Sequence, residues 1–330
     1  MRLTILVRAD KTGLGYQTRA YYKHLNPHKT VIIDLKNLNG NEQYYGWYDG
    51  AHVIKGIPTD QQIDSILDDT DVLLTAETPY NLKLYRRAQV RGVRTVCVEN
   101  PEFYDHIKYT EYELPNTIIL PSVWKQDEIR QHAEPKGTKV VQIHHPVDLD
   151  EFHFRQRITN KVIHIAGKPA AHDRNGTWDF LTACQNGVIT CQDEAMARQI
   201  RQRYRFTNVF TDIADPHEIY TKGDILVLPR KYGGNCLPLN EALATGMPVI
   251  MSDIEPNNHI LPKAWLAPAV VSSTFYPRGK VDIYTTETEP LRERIEWVQA
   301  NIESQSKLAY EIAKTISWDT LKDKWLEALK

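Results

Sequence analysis

The sequence predicts an α/β protein of two domains, each a parallel sheet covered by helices. Three observations carry this prediction. Short apolar runs alternate with helical stretches along most of the chain. The rhythm pauses near residues 145–152 and then resumes. At 330 residues the chain is also long for one hydrophobic core.

The first half begins with an apolar run at 3–7, followed by Arg8-Ala-Asp-Lys-Thr-Gly13-Leu-Gly15 and a helical stretch at 16–25. Two glycines at a strand-to-helix turn let backbone approach a ligand closely, and they serve a tight turn equally well. The dinucleotide fingerprint wants a third glycine where Thr18 stands, so a nicotinamide or flavin site is excluded. Further strands are predicted at 31–35, 71–75, 94–98, 117–120 and 139–143, with helices such as 61–67 between them. Two strand ends carry polar clusters, Glu77-Thr78-Pro79-Tyr80 and Glu99-Asn100-Pro101-Glu102. The carboxyl ends of parallel strands border ligand crevices, although proline with acidic neighbours is also ordinary loop chemistry. Asp69-Thr70-Asp71 has metal-site spelling, but it precedes its strand and reads as loop solvation. His144 and His145 are adjacent on a strand and point to opposite faces, so they do not share a metal.

The second half opens with a strand at 161–166, then Gly167-Lys168, a short loop, and Arg174-Asn-Gly176 ahead of a helix at 177–184. Strands at 188–190 and 208–210 follow. The stretch DILVLPRKYGGNCLPLNEALATGMPVIMSD, residues 224–253, reads as strand, glycine loop, helix and strand. Its loop, Gly233-Gly234-Asn235-Cys236, lies where a helix N-terminus presents free N–H groups to an anion, and Glu241 follows one turn into the helix.

Composition narrows the function. A hydrophobic fraction of 42% and a charged fraction of 25% are those of a globular protein, and a net charge of −2 exerts no global pull on nucleic acid or anionic membrane. No apolar run reaches the roughly 20 residues of a membrane span, and the N-terminus enters a strand directly; a cytoplasmic protein with no stable membrane insertion is expected. The four cysteines, at 97, 184, 191 and 236, lack CxxC spacing and read as free thiols.

Leu237-Pro238, Glu241-Ala242-Leu243-Ala244, Gly246 and Pro248-Val249-Ile250 resemble the signature of the retaining glycosyltransferases of family 4. These are nucleotide-sugar enzymes with the GT-B fold, two Rossmann-like domains whose parallel sheets face across a cleft. The resemblance implies an N-terminal acceptor domain at 1–147, a nucleotide-sugar domain at 148–315, and a final helix at about 316–330 that packs back on the first. It implies that Glu241 holds the ribose, that Lys168 and Arg174 clamp the diphosphate, and that Gly13, Gly15, Gly234, Asn235, Cys236 and Leu237 line the donor. A histidine of the family falls near Asn100, which takes the corresponding catalytic place. The signature has another Glu eight positions before Glu241, in contact with the donor sugar; Gly233 stands there instead. The loop 211–214 is where the family receives the nucleobase.

The expected activity is metal-independent transfer, with retention, from a UDP- or GDP-linked sugar to an acceptor hydroxyl, without a further cofactor. A catalytically inactive sugar-nucleotide-binding module is the alternative. The stretch Thr12-Gly13-Leu-Gly15-Tyr-Gln-Thr-Arg19 is similar to bacteriophage-encoded glycosyltransferases, whose acceptors include glycans, proteins and hydroxymethylated DNA bases. A phage member would act in the host cytoplasm. Arg86, Arg87, Arg91, Arg94 and Lys125 read either as a basic groove for DNA or as solvated helix faces.

Overall fold

The computed structural model describes residues 1–104, 112–168, 170–205, 207–211, 213 and 215–330. Two compact units emerge, Met1–His145 with Leu321–Lys330, and Pro146–Thr320.

In the first unit seven strands run β1 (Leu3–Val7), β2 (Lys29–Asp34), β3 (His52–Lys55), β4 (Val72–Ala76), β5 (Arg94–Val98), β6 (Thr117–Leu120) and β7 (Lys139–Gln142). Their order is β3-β2-β1-β4-β5-β6-β7, and every neighbouring pair is parallel. The strand order reverses between β1 and β4. Both of these strands are buried along their whole length, because helices α1 (Gly13–Leu25), α2 (Asp60–Leu67), α3 (Leu84–Val90) and α4 (Gln126–Ala133) supply covering faces. Leu6, Ile33, Ile63 and Leu73 belong to one such packed face. Helix α1 starts three residues before the predicted 16 because the Thr12 side chain accepts from the Gly15 N–H and caps it. Strand β3 escapes the sequence reading: three of its four residues are exposed, so it has no apolar run.

The second unit repeats the plan. Strands β8 (Val162–Gly167), β9 (Val188–Cys191), β10 (Asn208–Phe210), β11 (Ile225–Leu228), β12 (Val249–Ser252) and β13 (Leu266–Ala267) form a parallel sheet in the order β10-β9-β8-β11-β12-β13. Helices α5 (Thr177–Ala183), α6 (Glu194–Arg203), α7 (Pro216–Ile219) and α8 (Leu237–Ala244) connect them. Here the order reverses between β8 and β11, so the loops that leave those two strands flank the switch point. An antiparallel hairpin, β14 (Ala269–Phe275) with β15 (Val281–Thr286), follows, then α9 (Thr288–Ala300) and α10 (Ile302–Thr315).

The chain leaves the first unit after His145 and re-enters it at Leu321; within the second unit Val147 and Ser317 pair as an isolated parallel bridge. The last helix, α11 (Trp318–Ala328), ends in the first unit, where the fully buried Trp325 donates its indole N–H to the His144 carbonyl at 3.4 Å and packs 4.9 Å from the ring of Tyr21. His145 is buried beside Tyr21, and burial pushes its imidazole down to about 3, so it packs as a neutral ring.

Candidate active site in the second unit

The loops after β8 and β11 meet at the switch point, and glycine makes the meeting possible. Gly176, at φ +69°, lies so close to Pro229 that a β-carbon would strike its carbonyl oxygen. The Lys231 N–H donates to the Arg174 carbonyl at 2.9 Å, and the Tyr232 hydroxyl donates to the Ala171 carbonyl at 2.9 Å. The Arg174 guanidinium lies over the Tyr232 ring at 5.5 Å. The Asp173 carboxylate accepts from the Thr177 and Trp178 N–H groups and caps α5, which fixes the residue before Arg174. Arg174, a sequence candidate, is thereby brought against the glycine loop.

Gly233 has φ +114°, where only glycine is unstrained. A β-carbon there would stand 2.5 Å from Nη2 of Arg174 and 2.8 Å from Nη2 of Arg230. Two guanidiniums therefore take the room a side chain at 233 would need. Arg230, which the sequence reading did not name, is 4% exposed and donates through Nη1 to the Asn235 carbonyl at 3.3 Å. Its place directly after Pro229, at the carboxyl end of β11, was the signal available in the sequence. Lys231 is paired with Asp179 at 3.0 Å.

Gly234, Asn235 and Cys236 lead into α8, with Pro238 in its first turn where a missing N–H costs nothing. Glu241 is half-buried on α8, and its Oε2 accepts from the Tyr220 hydroxyl. Burial is the main cause pushing its carboxyl up to about 7; the Tyr220 hydrogen bond opposes this and the Glu151 charge adds to it. Tyr220 is itself held from behind: the buried Arg157 donates to the carbonyls of Tyr220 at 2.8 Å, Gly223 at 3.0 Å and Thr245 at 2.8 Å. Neither Tyr220 nor Arg157 carries a motif.

Lys168 is exposed. With Arg174 it lines a cavity of about 440 Å³ whose wall includes Trp178, Asp193, Met196 and Gln199. Asp212 and Ala214 of the nucleobase loop lie outside the described residues.

The remaining candidates belong to the first unit. Gly15 is required by its own chain, since a β-carbon would strike the Asp10 carbonyl, whereas Gly13 has open space. Asn100 is 6% exposed and donates its amide to Glu77 and to Gln17, at 3.3 Å for the latter. Glu77 adopts φ +61° at the end of β4. Asp69 and Asp71 both bind Arg2, and His28 joins Asp69 at 2.9 Å, as loop solvation requires. The five cations read as a possible DNA groove are matched by neighbours. Arg87 pairs with Asp64 at 2.7 Å, Arg91 with Asp68 at 2.7 Å, Lys125 with Glu128 at 3.5 Å and Arg86 with Glu113 at 4.0 Å, while Arg94 donates to Thr117 at 2.9 Å.

Two parallel sheets of Rossmann order, with a cationic loop pair at the second switch point, define the GT-B class of fold. Residues 160–270 match the family described as Glycosyl transferases group 1. Among solved structures, a glycosyltransferase from Rickettsia africae ESF-5 superposes with TM-score 0.70 at 12% identity, covering 99% of this chain and 97% of that one. The Anabaena protein HepE in complex with UDP gives TM-score 0.71 at 11% identity, covering 100% and 99%. The pneumococcal O-GlcNAc transferase GtfA in complex with UDP and GlcNAc gives TM-score 0.69 at 11% identity, covering 99% and 98%. No curated protein matches the chain by sequence. The second unit thus contains a segment similar to the glycosyl transferases group 1, and the fold is GT-B. Among the described residues no helix is long and apolar enough to cross a membrane.

Proposed function

We propose that the protein is a retaining glycosyltransferase that moves a sugar from a nucleoside diphosphate sugar to an acceptor hydroxyl. The observation that carries this reading is the convergence of Arg174, the Gly233–Cys236 loop and the start of α8 at the switch point of the second sheet. The family match over the same segment and the UDP-bound neighbours support it.

In the transfer, the bond from the anomeric carbon to the diphosphate breaks, and one from that carbon to the acceptor oxygen forms on the face the diphosphate leaves. The acceptor proton passes to a phosphate oxygen. The charge that develops is on the leaving diphosphate, so stabilising that charge away from water is the main catalytic task. Lys168, Arg174 and the N–H groups from Asn235 to Leu237 would meet it with fixed cations and dipoles, which makes the reaction metal-independent. Glu241, held by Tyr220, would accept from the ribose hydroxyls.

The test is turnover of radiolabelled UDP- and GDP-sugars with and without acceptor hydroxyl compounds. Release of nucleoside diphosphate, slow without acceptor and faster with it, is expected. Tight donor binding with no turnover under any condition would favour an inactive binding module.

A further inference from the structure

At the carboxyl ends of β1, β4 and β5, neighbours in the first sheet, three buried polar atoms have no partner among the described residues. Arg8 follows β1 and is 7% exposed; one end of its guanidinium pairs with Asp10, while Nε bonds to nothing. Asn100 follows β5 and is 6% exposed; its amide nitrogen donates to Glu77 and Gln17, while Oδ1 accepts from nothing. The third is the Tyr80 hydroxyl, beyond β4, on which the charges of Arg8 and Glu77 act. Glu77 and Tyr80 both adopt φ +61°, which residues with a side chain seldom do, so their surroundings hold this turn in place. Unpaired buried polar atoms are costly, and a ligand that completes their hydrogen bonding explains why these three are kept together.

An aromatic surface adjoins them. The segment after β2 is laced to the residues that follow β1: the Tyr44 N–H donates to the Ala9 carbonyl at 2.6 Å, the Tyr48 hydroxyl to the Arg8 carbonyl at 2.8 Å, and the Asn41 amide to Asp10 at 3.2 Å. It sets the rings of Tyr44 and Trp47 nearly parallel, 17° apart with centroids at 5.4 Å, and Tyr16 tilts against Trp47 at 5.4 Å. Lys11 lies over Tyr44 at 4.9 Å and Arg19 over Trp47 at 5.2 Å, which steadies the pair. The hydroxyls of Tyr44 and the exposed Tyr45 donate to Glu42 at 2.9 Å and to Asp34 at 2.6 Å.

We infer that this end of the first sheet binds a neutral saccharide, which serves as the acceptor, with an apolar ring face on Tyr44 and Trp47 and its hydroxyls on Arg8, Tyr80 and Asn100. A sugar ring offers both halves of that chemistry: its C–H groups bury against aromatic rings, and its hydroxyls donate and accept. Arg8 Nε requires an acceptor, Asn100 Oδ1 requires a donor, and the Tyr80 hydroxyl takes either. A nucleic acid would stack on the same rings, but its phosphates would meet the carboxylates of Glu42 and Asp34. The role as acceptor rests on the glycosyltransferase reading, whereas the binding site stands on the first unit alone.

An array of neutral oligosaccharides probed with the labelled full chain tests the site, beside an oligonucleotide carrying hydroxymethylated bases and a Ser/Thr peptide. The wild type should bind a neutral saccharide and neither of the other probes. Tyr80→Phe should weaken that binding about two- to tenfold, the usual size of one neutral hydrogen bond, and Trp47→Ala about tenfold. Because the Tyr80 hydroxyl has no partner in the chain, Tyr80→Phe should leave the thermal midpoint unchanged or raise it. A lowered midpoint would make the hydroxyl structural and count against the site. Failure to bind any neutral saccharide, equal binding by the wild type and both variants, or capture of the oligonucleotide or the peptide instead would overturn the inference, and none of these results touches nucleotide binding by the second unit. A bound saccharide that receives no sugar from UDP- or GDP-linked donors would overturn the transferase reading and leave the saccharide site standing.

Discussion

Replacing Glu241 by Gln should stabilise the protein, and the gain should depend on pH in a way the structure dictates. The Glu241 carboxyl is raised from the ordinary 4.5 to about 7, chiefly by burial, with the Tyr220 hydroxyl unable to offset it. A proton held more tightly by the folded chain than by the unfolded one favours folding. That contribution is complete below about pH 4.5 and is lost as pH rises through about 7. At ~1.4 kcal/mol per tenfold change in proton affinity, ionised Glu241 costs the fold about 3 kcal/mol above neutrality. Glutamine keeps an oxygen for Tyr220 and carries no charge at any pH. Urea-unfolding midpoints of both proteins, measured from about pH 4.5 to about pH 8.5, should diverge steadily, with Glu241→Gln the more stable at the alkaline end. A difference independent of pH would refute the argument, because the carboxylate would then not be strained by its surroundings. A destabilising group kept on the first turns of α8 is what a ligand site leads one to expect.

Three further outcomes follow from the same geometry. Gly233→Ala forces a side chain to φ +114° and into the two guanidiniums, and should cost about 1–3 kcal/mol by thermal unfolding while also weakening donor binding; unchanged binding would separate the loop from the ligand. Gly15→Ala should destabilise the first unit by about 1–3 kcal/mol through collision with the Asp10 carbonyl, seen as loss of amide protection in β1 and α1 by hydrogen exchange. Sugar transfer should survive excess EDTA; a complete loss restored by Mg²⁺ or Mn²⁺ would contradict catalysis by side-chain cations and backbone N–H groups.

Part of the second unit was legible because its central strand is short and apolar: Ile225–Leu228 and the helix Leu237–Ala244 that follows it fall where the sequence reading puts them. The glycine loop was legible because glycine with proline shortly after it has few other uses. Nothing between 254 and 315 was assigned. There β14 is almost wholly exposed, so no apolar face announces it, although Val281–Thr286 alternates beyond a Pro-Arg-Gly turn. Within the site, Glu241 and Arg174 were legible as motif residues. The Tyr220–Glu241 bond, the Arg157 fork behind it and the approach of Arg230 to Gly233 join residues through tertiary packing, which spacing along the chain does not encode.

The central claim is that the second unit holds a nucleoside diphosphate through Glu241 and the loops around Gly233. Calorimetric titration of UDP and GDP into the wild type and a folded Glu241→Ala variant tests it most directly. The account predicts saturable binding of one nucleotide, weakened in the variant by about 1–3 kcal/mol, or roughly 5- to 150-fold, through loss of a charge-assisted hydrogen bond to the ribose. Equal affinity in the two proteins, or no binding of either nucleotide, would contradict it.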